Sequence, residues 1–197
     1  MKLERRPYDM TRRADKAAET RRRILEAALS LFAEKPVGEI TLESIADRAE
    51  VSVQTVIRRF GSRDGVTRAM ALLIEESAKS TRPTTGEVRD IVATLVAEYE
   101  LFGPVILRAL AQEKDVPFLA PLLQKGRAAH QEWIDETFAH ALRKRRGRSR
   151  ARLKGALIAA LDIYTWKVLH VDYKLDRPRT IECMELLVDA VLREGDA

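Results

Sequence analysis

The sequence contains few of the residues that mark several large classes of protein. It has one cysteine, Cys183, among 197 residues, which excludes an internal disulfide framework and a cysteine-rich zinc site. Glycine (9) and proline (7) are scarce, and no uninterrupted apolar run reaches the ~18 residues of a membrane-spanning helix. The N-terminal segment MKLERRPYDM lacks the apolar stretch of a signal peptide. We therefore expect a mostly helical, cytoplasmic protein that does not enter a membrane.

Residue patterns typical of enzymes are equally scarce. The three histidines, His130, His140 and His170, do not have the spacing of metal ligands. The sequence has no glycine-rich phosphate loop, and no neighbouring base marks Cys183 as a nucleophile. These observations predict a protein that is not an enzyme, with no catalytic residue, no metal and no cofactor.

The positive charge is unevenly distributed. The net charge is +5, and residues 1–63 hold 14 Lys and Arg against 10 Asp and Glu. Eight more cations lie between Arg143 and Lys154 without an acidic residue among them, and the remainder of the chain after residue 63 has 13 cations against 20 acids. A basic N-terminal region joined to an acidic C-terminal region orients a protein on a polyanion, because the phosphates attract the protein where its cations lie. The basic run itself fits either a second nucleic-acid patch or, more ordinarily, a solvated loop.

The stretch TLESIADRAEVSVQTVIRRF, residues 41–60, has the pattern of two short helices joined by a tight turn. Thr41 and Ser52 are candidate side-chain caps, and apolar residues follow each at spacings of three and four. This pattern predicts a helix-turn-helix whose second helix enters a duplex groove, and an ordinary helical hairpin is the alternative. The predicted DNA contacts lie on these helices and in the first turn of the next one: Thr41, Ser52, Val53, Gln54, Thr55, Arg58, Arg59 and Arg63.

The remaining segments are placed relative to this element. The sequence of residues 1–18 indicates a basic arm that reaches DNA phosphates or the minor groove. A solvated tail is the alternative. Residues 19–66 predict the DNA-binding domain, whose first helix ends by Lys35 because Pro36 disfavours helix at the residue before it. Residues 67–197 predict a helical bundle with breaks at Gly103-Pro104 and near Gly147, and with a single long helix over 153–168.

Residues 20–70 resemble the DNA-binding domain of the TetR (tetracycline-repressor) family of bacterial transcriptional regulators. The resemblance rests on a helix ending in LFAEK and on ITLESIADRAEVSVQTVIRRFGSRDGV, which keeps the family's order of T, IA, A, VS, T, F and a basic residue. The sequence departs at Glu50, where the family usually has glycine in the turn, and at Ile57 and Arg59, where aromatic residues are usual. The resemblance implies an all-α protein with an N-terminal three-helix DNA-binding domain and a C-terminal helical domain for ligand binding and dimerisation.

The same resemblance implies partners. We expect a homodimeric repressor that binds a palindromic operator in double-stranded DNA and is released by a small apolar or amphipathic effector. Two alternatives stay open: a DNA-binding regulator whose second domain only dimerises, and a helical small-molecule-binding protein or enzyme. The predicted effector pocket consists of aromatic residues, which at helical spacing also suit a packed core: Tyr99, Phe102, Trp133, Phe138 and Trp166.

The dimer interface is predicted on the two apolar stripes nearest the C-terminus. Both stripes are broad, and neither is needed to bury the small N-terminal module. Packed against their two-fold mates they would form a four-helix bundle, with the two recognition helices about one duplex turn, ~34 Å, apart. The predicted interface residues are Leu153, Leu157, Leu161, Tyr164, Met184, Val188 and Val191.

Overall fold

The computed structural model describes the backbone of residues 10–194 and the side chains of residues 14–193. The described residues form helices and connecting turns without a strand, which confirms the all-α prediction. Among the described helices, none has the length and apolar character needed to cross a bilayer. The helices are α1 (Met10–Glu34), a 3₁₀ turn (Val37–Glu39), α2 (Leu42–Arg48), α3 (Val53–Phe60), α4 (Arg63–Thr81), α5 (Val88–Ala111), α6 (Leu119–Thr137), α7 (Ala139–Arg143), α8 (Gly147–Ala160), α9 (Ile163–Trp166), a π-helical turn (Lys167–Asp172) and α10 (Arg177–Glu194).

The chain divides into two compact units, and the boundary lies inside α4. The N-terminal unit ends at Ala71 and the C-terminal unit begins at Leu72, five residues beyond the boundary expected from the sequence. In the N-terminal unit, α1 contributes the buried side chains of Ile24, Ala28 and Leu31, which are spaced to lie on one helix face. Small Ala46 is 1% exposed, so α2 packs closely at that point.

Helix α1 begins earlier than the sequence pattern indicated. It includes residues 10–18, so the prediction of a basic arm is wrong for this part, whereas Arg5 and Arg6 lie outside the described residues. The segment before the buried stripe is rich in Ala, Lys, Glu and Arg and has no glycine or proline, and these residues extend a helix readily. Arg22 also pairs with Glu19 and Glu26, one turn away on either side.

The C-terminal unit has one continuous apolar core. Helix α5 packs against α10, and α8 packs against both α6 and α10. The core includes Leu95 of α5, Ile134 of α6, Leu157 of α8 and Met184 of α10, all fully buried. Helices α5, α6, α8 and α10 therefore share a single apolar core in this unit.

Helix α5 continues through Gly103-Pro104, where the sequence predicted a break. Pro104 cannot donate a backbone hydrogen bond, which normally disfavours a helix interior. Phe102 and Val105 are nevertheless both buried, so the helix keeps an apolar face on each side of the proline. A β-carbon at Gly103 would lie 2.6 Å from the Trp166 ring, and glycine therefore allows this close packing. Burial on both sides outweighs the missing hydrogen bond.

Two further helices end where the sequence predicted continuity. Helix α6 ends at Thr137 and Phe138 separates it from α7, although the sequence predicted a break only further on, near Gly147. The predicted helix over 153–168 is also interrupted, because α8 ends at Ala160 and Asp162 begins a new turn. The Asp162 carboxylate accepts a hydrogen bond from the Tyr164 backbone N–H at 2.8 Å, which caps α9.

Candidate functional site

Helices α2 and α3 form a helix-turn-helix with both N-termini capped by side chains. Thr41 Oγ1 accepts a hydrogen bond from the Ser44 backbone N–H at 3.1 Å, and Ser44 Oγ accepts one from the Thr41 N–H at the same distance. Ser52 Oγ accepts from the Thr55 N–H at 3.2 Å and lies 2.9 Å from the Thr55 hydroxyl. Both predicted caps are confirmed. The hydroxyls of Thr41, Ser52 and Thr55 therefore already have partners within their own helices.

The turn between α2 and α3 places Glu50 in the left-handed region, with φ of 50°. The Val51 N–H donates to the Ala46 carbonyl at 3.0 Å and the Glu50 N–H donates to the Asp47 carbonyl at 3.1 Å. These two bonds are those of a Schellman motif, in which glycine usually occupies the left-handed position. The turn thus forms with a side chain where the family favours glycine, at a cost of about 1 kcal/mol or more in backbone strain.

Arg23 of α1 holds this turn from outside. Its guanidinium donates to the backbone carbonyls of Ala49 and Glu50, and it lies 3.3 Å from the Glu50 carboxylate. Backbone carbonyls at the end of a helix lack partners within the helix, so the arginine satisfies groups that would otherwise depend on water. No local sequence pattern indicates this role of Arg23, because its partners are 26 and 27 residues away.

Helix α3 presents an exposed polar face. Gln54, Arg58 and Arg59 are exposed, Val53 and Thr55 are half-buried, and Val56 faces the core. Gln54 and Arg58 are four residues apart and therefore share one side of the helix. Neither Arg58 nor Arg59 forms an ion pair with the part of the chain that the structure describes. The face thus offers an amide and two uncompensated guanidinium groups to an external partner.

Two arginines fix the position of the helix-turn-helix on α1. Arg48 of α2 makes a two-pronged contact with the Glu34 carboxylate at 2.7 and 2.9 Å. This guanidinium, followed by the Ser30 hydroxyl, lowers the pKa of Glu34 to about 2. Arg21 lies over the Phe60 ring at 5.5 Å from its centroid, which ties α1 to the end of α3.

Arg63 is turned towards the protein. Its guanidinium donates to the Val37 carbonyl at 3.2 Å and lies 3.5 Å from the Ile40 carbonyl. Arg63 is among the predicted DNA contacts, but its side chain is partly buried against the loop between α1 and α2. Its evident role is to hold that loop, and a contact with DNA phosphate remains only a prediction.

Residues 24–70 match the family described as bacterial regulatory proteins, tetR family. This region of the chain belongs to the TetR family. Over 117 residues it is 32% identical to the HTH-type transcriptional regulatory protein RaaS of Mycobacterium tuberculosis, an alignment that covers 58% of this chain and 55% of RaaS. The chain therefore spans little more than half the length of the curated relative that it matches.

Solved structures, among them a TetR-family regulator, share the fold of this chain. A protein described as a TetR-family transcriptional regulator from Rhodococcus sp. superposes with a TM-score of 0.70 at 17% identity, covering 89% of this chain and 99% of the other. A complex of SmeT with triclosan superposes with a TM-score of 0.62 at 21% identity, covering 89% and 90%. The likeness extends over both units and includes the C-terminal helices.

The five aromatic residues predicted to line a pocket are all buried in the C-terminal unit. Tyr99 lies 5.8 Å from Trp166 between ring centroids and donates its hydroxyl hydrogen to the Leu161 carbonyl at 2.9 Å. Burial raises the pKa of Tyr99, so the phenol stays protonated. Phe102 and Phe138 are packed apolar side chains. The Trp166 Nε1 is buried and has no hydrogen-bond partner among the described residues.

Beside the aromatic residues lies a buried ionic cluster that no sequence pattern indicated. Arg82 donates to both carboxylate oxygens of Glu98 at 2.7 and 2.6 Å and lies 3.1 Å from His130 Nδ1. Its guanidinium also stacks 4.9 Å from the Trp133 ring centroid, and Trp133 donates to the Pro83 carbonyl at 2.9 Å. Burial, followed by the charge of Arg82, lowers the pKa of His130 to about 3. A neutral His130 with Nδ1 accepting carries its proton on Nε2.

Most residues predicted for the dimer interface lie instead within the C-terminal core. Leu153, Leu157, Leu161, Met184 and Val188 are buried by their own chain, so their assignment to an interface is wrong. A side chain enclosed by its own protomer has no surface left for a partner.

Other apolar residues on the same segments remain exposed. Tyr164 is 53% exposed and Val191 is half-buried. Val168 and Leu187 belong to the predicted stripes and Leu186 does not, and all three are exposed. The apolar surface available to a partner therefore overlaps only in part with the stripes that periodicity identified.

Proposed function

We propose that this protein is a sequence-specific DNA-binding transcriptional regulator whose helix α3 lies in the major groove. The observation that carries the proposal is the capped helix-turn-helix with Gln54, Arg58 and Arg59 exposed on α3. A glutamine amide pairs with adenine and an arginine fork pairs with guanine in the major groove, whereas a cation further along the helix meets phosphate. We assign base contacts to Gln54 and Arg58, and a phosphate contact to Arg59.

Replacing Gln54 and Arg58 by alanine is expected to abolish most discrimination between the preferred duplex and a scrambled one. Each lost bidentate base contact removes about 1–3 kcal/mol of discrimination. The preferred duplex is obtained by selection from random sequences, or from an inverted repeat upstream of the gene, and affinity is measured by fluorescence anisotropy. Arg59→Ala serves as the matched variant and should weaken both duplexes alike. If the double variant discriminates as well as the wild type, the assignment of α3 fails.

We further propose that the protein acts as a homodimer on a palindromic operator. The exposed apolar residues Tyr164, Val168, Leu186 and Leu187 support this proposal, because a two-fold axis would bury the same residues from both copies. A symmetric dimer presents two copies of α3 to two half-sites, which is the arrangement that a palindrome requires. This surface replaces the buried leucines as the assigned interface.

Finally, we propose that a small apolar or amphipathic effector binds in the C-terminal unit and releases the DNA, which makes the regulator a repressor. Two features support this proposal. The first is the cluster of buried aromatic residues, and the second is the Trp166 N–H, which has no partner among the described residues and can donate a hydrogen bond to a ligand oxygen. SmeT, whose fold is similar, has a solved structure in complex with triclosan. The alternative is a C-terminal unit that only dimerises.

A ligand screen distinguishes these two possibilities. Trp133 and Trp166 are the two tryptophans of the chain, so intrinsic fluorescence reports on the C-terminal unit. A compound that releases operator DNA is expected to raise the unfolding temperature by mass action and to change the tryptophan emission. Release of DNA without any change in emission would favour binding elsewhere, and a screen without any such compound would favour dimerisation alone.

A further inference from the structure

The end of α7 and the first half of α8 form a strongly basic surface, which we call the cationic segment (residues 143–154). It contains eight cations in twelve positions: Arg143, Lys144, Arg145, Arg146, Arg148, Arg150, Arg152 and Lys154.

Only part of this charge is neutralised within the protein. Lys154 pairs with Asp135 at 2.6 Å, Arg150 lies 3.6 Å from the same carboxylate, and Arg145 donates to the Ala141 carbonyl. The other five cations are exposed, and none of them forms an ion pair within the part of the chain that the structure describes. Five uncompensated charges this close together repel one another, so the segment favours an anionic partner.

Several of these cations also lie at the N-terminal end of helix α8, where positive charge lowers helix stability. Helix α8 begins at Gly147, whose φ is +51°, and its first turn contains Arg148 and Arg150 but no acidic residue. Arg146 precedes the helix and provides no side-chain cap. Positive charges near a helix N-terminus oppose the helix dipole, whereas an anion bound there is stabilised by it. These cations therefore destabilise helix α8 when no ligand is present, and an anion bound at its N-terminus would stabilise it.

The composition of the segment indicates which anion. Six of the eight cations are arginine, whose planar fork matches the oxygen atoms of phosphate. The residues of the segment that are not cations are Gly147, Ser149, Ala151 and Leu153, and Leu153 is buried in the core. No large apolar side chain is therefore available to insert into a lipid layer. A phosphate backbone fits this surface better than a membrane does.

We propose that the cationic segment is a second DNA-binding surface, which contacts the phosphate backbone of duplex DNA independently of sequence. It assigns DNA contact to the C-terminal unit, and so goes beyond the base recognition proposed for α3. The rest of that unit is acidic, so attraction is confined to this segment, and the segment determines which face of the unit approaches the duplex.

The test uses the full chain with Arg146→Gln, Arg148→Gln and Arg152→Gln combined, and a duplex without an operator. Affinity is measured over a range of salt concentrations. If three phosphate contacts are lost, the slope of log affinity against log salt is expected to become shallower by about 2–3, since each contact contributes about 0.9. The matched control combines Lys114→Gln, Lys174→Gln and Arg179→Gln, which removes the same charge from exposed positions elsewhere in the unit. The control is expected to keep the wild-type slope within about one contact.

The outcomes separate this proposal from its rivals. Equal slopes for the two triple variants would mean that net charge alone acts, and a wild-type slope for both would mean that the segment does not touch DNA. Loss of binding to vesicles of phosphatidylcholine and phosphatidylserine, with an unchanged DNA slope, would assign the segment to membranes instead. Each of these results overturns the proposal. Because the duplex carries no operator, the result does not depend on base recognition by α3, and circular dichroism verifies that each variant is folded.

Discussion

Replacing Arg82 by methionine is expected to destabilise the C-terminal unit by about 3–5 kcal/mol. The side chain of Glu98 is 4% exposed, and Arg82 is the partner of both its carboxylate oxygens. Methionine fills much of the space but leaves a buried carboxylate unpaired and removes the hydrogen bond at His130 Nδ1. Urea unfolding followed by tryptophan fluorescence measures the loss, because both tryptophans lie in this unit.

Two further variants show whether the buried pair is the cause. In Arg82→Met, Glu98→Leu the uncompensated charge is gone, so much of the lost stability should return. Arg89→Met removes an ion pair of similar length, 2.9 Å to Glu185, but the Arg89 side chain is 52% exposed, and the expected loss is below about 1 kcal/mol. A double variant that is less stable than Arg82→Met alone would contradict this account of the cluster.

Replacing Leu157 by aspartate is expected to prevent folding of the C-terminal unit, whereas Leu186→Asp should give a folded monomer. Leu157 is 0% exposed in the core, and burying a carboxylate there costs several kcal/mol, a large share of the ~5–15 kcal/mol that stabilises a typical domain. Leu186 is 62% exposed on α10, so a charge there leaves the protomer intact but opposes burial between two copies. Circular dichroism reports folding, and sedimentation reports the oligomeric state.

The expected effect on DNA binding rests on the proposed dimer. A folded Leu186→Asp monomer engages one half-site at a time, so its affinity for the operator should fall strongly, while its preference for the half-site sequence persists. A Leu186→Asp protein that sediments as a dimer and binds the operator normally would place the interface elsewhere.

The helix-turn-helix was predictable because its signals are local. Thr41 and Ser52 cap helices that begin within one residue of them, and Pro36 ends α1 close to the position expected from its effect on the preceding residue. Capping and proline effects act over three or four residues, so a single sequence displays them in full.

The C-terminal unit was predicted less well because its determinants are not local. Periodicity shows that Leu157 and Val188 are buried, but it does not show whether their own chain or a partner covers them. Arg82 and Glu98 are 16 residues apart and His130 is a further 32 away, so no sequence pattern connects them. Pro104 was a misleading signal, because packing on both sides of it maintained the helix.

Glu50, in the turn between α2 and α3, is one of two described residues other than glycine whose φ is positive. Its side chain is 87% exposed, so selection for packing does not explain why a glutamate is there. Glycine at this position would relax the backbone without altering any side chain on the exposed face of α3. A substitution at Glu50 would therefore raise the free energy of unfolding without changing the exposed face of α3. A lineage that accumulated weakening substitutions on α3, while acquiring a new operator, would have this single position available to restore the fold.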